Sequence, residues 1–112
     1  MNIGVKNMSK KIQKKKTQSY EEGLFARLKD ADYAAEYLNA LLEQDDPEAF
    51  LLGVRDVARA HNFSVVAQKS KLGRESLYKA LSDKGNPAYF TLQAVLKAVG
   101  IKVSFSPQKK AG

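Results

Sequence analysis

The sequence has no cysteine and no tryptophan, and one histidine among 112 residues. Without cysteine there is neither a disulfide framework nor a thiolate metal site, which suits a reducing compartment. The lone histidine, His61, leaves no imidazole cluster and is expected to sit at a helix end. Paired carboxylates, phosphate-cradling glycine loops and nucleophile-base pairs are also missing at any recognisable spacing. The expectation is therefore no catalytic residues, no metal, no cofactor and no enzyme. No apolar run approaches the length that spans a bilayer. The first twenty residues lack the apolar stretch and small-residue cleavage site of a secretory signal, so a cytoplasmic protein is expected. Met8 is a second candidate start.

Acidic residues are scarce at both ends. Residues 1–19 carry six lysines and no acid, residues 20–60 carry ten acids against four bases, and residues 61–112 carry nine bases against Glu75 and Asp83. A polyanion is the natural partner of the basic half, and the acidic segment needs a different one. The lysine-rich run Lys10–Ser19 is too polar to bury anything. The expected organisation is a basic disordered arm over 1–19, one helical domain over 20–106 and a tail over 107–112.

Apolar residues recur every three to four positions from Asp32 (Tyr33, Ala34, Tyr37, Leu38, Leu41, Leu42), which predicts an amphipathic helix. Asp46 followed by Pro47 is a helix start, because the carboxylate can accept orphan amides and proline at the first position forfeits no needed donor. Phe50, Leu51, Val54, Val57 and Ala58 form the stripe of a second helix. Ser64 is a plausible cap for a short third helix to Ser70. A fourth runs from Arg74 to Leu81 with Leu77 and Tyr78 inward. After the loop Asp83–Pro87 a fifth spans Tyr89 to Val99, burying Phe90, Leu92, Val95, Leu96 and Val99, and Gly100 ends it. Residues 101–106 alternate apolar and polar, a strand signal. The fold class expected is all-α with about five helices and a short C-terminal strand.

Residues 64–81 have the spacing of a helix-turn-helix. Ala67 is the small residue that lets the helices cross, Leu72 plugs the turn, and Val66, Leu77 and Ala80 lock the pair. The second helix of such a motif enters the major groove. Its outward residues are Arg74, Glu75 and Lys79, with Ser76 near the edge: candidates for guanine, cytosine and further base contacts. Ser64, Lys84 and Asn86 are candidates for phosphate contacts. The same residues also fit an ordinary helical hairpin with a basic solvated face.

The stretches Arg74–Ser82, Gly85-Asn86-Pro87 and Leu92–Ile101, with Ala34–Leu38, Asp46-Pro47 and Val57–Ala60 upstream, resemble the addiction-module antidote family. These are HigA-like antitoxins with a helix-turn-helix of the Cro and lambda-repressor type, and the resemblance covers roughly residues 24–105. It implies a transcriptional repressor, often a homodimer, that binds its own double-stranded operator and a RelE/ParE-like toxin. The alternative is a phage-like or chromosomal repressor of the same fold with no toxin partner. Two positions depart from the family pattern: Lys71 stands where the turn usually has glycine, and Gly73 where the second helix usually has a serine cap. With a toxin of the basic, RNA-directed kind that the resemblance implies, the acidic segment becomes a complementary surface, with Asp45, Asp46 and Glu48 as candidate contacts. A strand around Val103 and Phe105 would be available to pair with its copy in the dimer.

Overall fold

Six helices make up the regular structure of residues 18–109, the part that the computed structural model describes. They are α1 Gln18–Leu28, α2 Ala31–Glu43, α3 Pro47–Ala60, α4 Phe63–Lys69, α5 Arg74–Ala80 and α6 Tyr89–Ala98. Five follow the expected positions. The additional one, α1, lies ahead of the stripe that begins near Asp32. Lys6 to Lys16 and residues 110–112 lie outside the described residues, and α1 takes in Gln18 and Ser19.

Local chemistry sets the helix boundaries. The Asp30 carboxylate accepts from the Asp32 amide at 2.9 Å and starts α2. Asp45 turns the chain at φ +58°, and the Asp46 carboxylate accepts from the Ala49 amide at 3.2 Å to start α3 at Pro47. The expected cap at Ser64 is instead Asn62. Its side-chain oxygen accepts from the amides of Ser64 at 3.1 Å and Val65 at 3.3 Å. At φ +73° the same residue also turns the chain out of α3, so one side chain serves two helix ends.

The first three helices pack together, α3 against both α2 and α1. Gly53 allows the close approach, since a Cβ there would overlap the Leu41 side chain. Tyr37 Oη donates to Asp56 at 3.2 Å across the α2–α3 contact. Burial, then the Asp56 charge, pushes the Tyr37 phenol above its ordinary range, so it remains a donor. The Arg59 guanidinium covers the Phe25 ring at 5.1 Å, and His61 Nε2 lies 3.2 Å from the Leu28 carbonyl, tying the end of α1 to the end of α3. From this base α4 packs on α3, α5 and α6. Val54, Val57, Val66, Leu77, Leu81 and Val95 form one continuous core with Leu28.

The expected C-terminal strand is not there: no strand occurs among the described residues. Gly100, at φ +83°, ends α6 with its own amide on the Lys97 carbonyl and the Ile101 amide on the Leu96 carbonyl, the bond pair of a glycine-terminated helix. Ile101 and Val103 then rest on the helical core while Phe105 is 85% exposed. The alternation of residues 101–106 is thus met by side chains settling on helices, with no second backbone to form a ladder. The dimer strand expected at Val103 and Phe105 falls with it. Phe90 is corrected too. It occupies the first turn of α6 and is 75% exposed, whereas Val95 and Leu96 are buried.

Candidate nucleic-acid interface

The short helices α4 and α5 form a packed pair. Val66 and Ala67 on α4 meet the same core as Leu77 and Leu81, and Leu72 is half-buried in the turn. Ala67 leaves room for the turn to close over it, with the Leu72 amide donating to the Ala67 carbonyl at 2.9 Å. Ser70 adds a side-chain bond to the Val66 carbonyl from a buried position.

Both departures from the family pattern have visible consequences. Lys71 occupies the left-handed region at φ +61°, where a side chain costs about 1 kcal/mol that glycine would avoid. Gly73 caps α5 with no side-chain bond, which leaves the first amides of the helix without a local acceptor. α5 is therefore held by packing, and Leu77 is its only fully buried residue.

Arg74, Glu75, Ser76 and Lys79 are all exposed on α5. At 100° per residue, Glu75 and Lys79 lie opposite Leu77, Arg74 lies to one side of them and Ser76 to the other. The four expected base-contact residues are thus exposed on one short helix but spread over about 200° of it, with Arg74 nearest to Leu77. Ser64 is exposed in the first turn of α4, its amide already taken by Asn62 and its hydroxyl on the surface. Lys84 and Asn86 are exposed in the loop after α5. That loop lies tightly against the helix end. The Gly85 amide donates to the Ser82 carbonyl at 2.9 Å, and a Cβ on Gly85 would overlap the Ala80 carbonyl.

Tyr78 does not point inward as expected. It is 40% exposed, and its ring rests on the buried Phe63 ring at a centroid distance of 4.4 Å. Asn62 and Tyr78 are the contributions to this region that the sequence pattern concealed. A polar residue at a helix junction and an aromatic at a helix edge both need the neighbouring element to reveal what they do.

Asp45, Asp46 and Glu48 are exposed at the turn between α2 and α3, away in sequence from the α4–α5 pair. Asp46 is committed to capping α3, which leaves Asp45 and Glu48 as the freer charges. No cluster of three or more potential metal ligands occurs among the described residues. None of the described helices is long and apolar enough to cross a membrane.

A family model described as "probable addiction module antidote protein" matches residues 18–107. A Haemophilus influenzae protein described only as uncharacterized is 44% identical over 66 residues, which cover 59% of this chain and 68% of that protein. No solved structure matches. The matched span takes in all six helices, so the chain belongs to the addiction-module antidote family and is a regulator, not an enzyme.

Proposed function

We propose that this antidote is a sequence-specific repressor that binds its own operator DNA through α4 and α5. The observation that carries the reading is the division of α5. Leu77 is fully buried on one side, Glu75 and Lys79 are exposed on the opposite side, and Arg74 is exposed at the flank in the first turn. A helix fixed from behind can present those side chains to base edges in the major groove. Ser64, Lys84 and Asn86 flank it as phosphate contacts that set the register. Two copies, one per half-site, complete the reading. The test is titration against a duplex from the DNA upstream of the protein's own reading frame and against a scrambled duplex, with wild type and Arg74→Ala. Preference for the upstream duplex, reduced about tenfold or more by the substitution, is expected. Equal, strongly salt-dependent binding to both duplexes contradicts it and leaves only non-specific phosphate attraction.

The second partner is a RelE/ParE-like toxin, met by the acidic turn between α2 and α3. Asp45→Asn, Asp46→Asn and Glu48→Gln together remove three negative charges, and asparagine keeps the cap at position 46. Slower association with the product of a neighbouring toxin-like reading frame, most evident at low salt, is the expected result. Unchanged association rate and affinity would place the toxin elsewhere. The absence of any such reading frame beside this one would favour a repressor without a toxin.

A further inference from the structure

Tyr78 is the one aromatic side chain on α5, and the operator-reading residues surround it. Arg74 is one turn earlier at i−4, Glu75 is at i−3 and Lys79 follows directly. Its ring packs on that of Phe63, with centroids 4.4 Å apart and planes tilted by 38°, and Phe63 is only 6% exposed. Tyr78 is 40% exposed, and among the described residues its hydroxyl has no hydrogen-bond partner. A tyrosine held this way, with an apolar body packed and a polar tip in water, is suited to an interface that is part dry and part wet. The side on which it is held is informative. Phe63 begins α4, and in a helix-turn-helix the first helix crosses the sugar-phosphate backbone while the second lies in the groove. The Tyr78 ring is thus on the α4 side of α5, the side that such a motif turns toward the groove wall.

Resting on the operator reading above, we propose that Tyr78 is a DNA-positioning residue: stacked on Phe63, its hydroxyl donates a hydrogen bond to a backbone phosphate at the edge of the groove that α5 enters. The contact carries no sequence information itself. It fixes how far α5 enters and how it is rotated, and so which bases Arg74 and Lys79 reach. Because the donor is neutral, it displaces no counterion, unlike a lysine or arginine at the same place.

The experiment compares wild type, Tyr78→Phe and Tyr78→Ala on the upstream and scrambled duplexes at several salt concentrations, with thermal unfolding of each protein measured alongside. Tyr78→Phe keeps the stack and loses only the hydroxyl. It is expected to unfold at the wild-type temperature, to bind both duplexes about fivefold more weakly, and to keep the wild-type slope of log affinity against log salt. Tyr78→Ala, which also loses the stack, is expected to lower operator affinity further and to narrow the preference over the scrambled duplex. Wild-type affinity in Tyr78→Phe overturns the proposal while leaving the operator reading intact. A salt slope in Tyr78→Phe that is clearly shallower than in wild type also overturns it, since loss of a neutral donor releases no counterion. Wild-type protein that binds neither duplex removes the operator reading and this role together.

Discussion

Replacing Leu77 with alanine is expected to lower the unfolding free energy by about 3 kcal/mol, the cost of emptying a large apolar site in a packed core. Leu77 is 0% exposed and belongs to the same core as Val66, Ala67 and Leu81. α5 has seven residues, too few to persist by propensity, and it lacks a side-chain cap. Within the helix only the Tyr78 ring, resting on Phe63, remains as an anchor. Since domains of this kind are stable by only about 5–15 kcal/mol, the change removes a large share of the total. Urea unfolding measures it. Operator binding should weaken even under conditions where the variant remains folded, because α5 loses the contact that orients Arg74 and Lys79. A loss below about 1 kcal/mol would show that the site collapses around the smaller side chain and that α5 is held by something else.

Asn62 is the second position of large effect. Asn62→Ala removes the oxygen that accepts from Ser64 and Val65 and places a Cβ without local compensation at φ +73°. The missing cap costs about 1 kcal/mol and the left-handed backbone about as much again, so a loss of about 2 kcal/mol is expected. Asn62→Gly separates the two effects. Glycine adopts the turn freely and caps nearly as well, so the expected loss is about 0.5 kcal/mol. Chemical denaturation of both variants checks the split. Equal losses for alanine and glycine would mean that the backbone conformation at this junction contributes nothing.

These two positions differ in how far the sequence alone discloses them. Leu77 belongs to a pattern of small and apolar residues with defined spacing, so its burial and the outward Glu75 and Lys79 are legible from periodicity, whereas Arg74 lies only about 60° from Leu77 and is exposed all the same. Asp46-Pro47 is legible for a chemical reason, because a capping oxygen and a donor-free first residue together mark a helix start. Asn62 is not, since Ser64 two residues on is an equally good capping type, and only the path of the chain decides which oxygen faces the free amides. α1 escaped because its pattern is short. Leu24 and Leu28 are its buried residues, spaced one turn apart beside Glu21, Glu22 and Gly23. The strand expected at 101–106 has the opposite cause. Alternation is a local property, whereas a strand needs a partner's backbone, and here the apolar residues Ile101 and Val103 found a helical surface instead. Phe90 stands outside the core for a reason that periodicity itself gives: at 100° per residue it lies opposite the stripe of Leu92, Val95 and Leu96 on α6.

Operator recognition requires that α5 and its flanking loop meet DNA. The most direct measurement follows backbone amide resonances of the isotopically labelled protein as the upstream duplex is added. The expected result is a set of shifts concentrated at Arg74 to Lys79, at Ser64 and at Lys84 to Asn86, with α1 and α2 little changed and a different, weaker pattern for the scrambled duplex. Shifts absent from α5, or identical for the two duplexes, would contradict operator recognition by this helix.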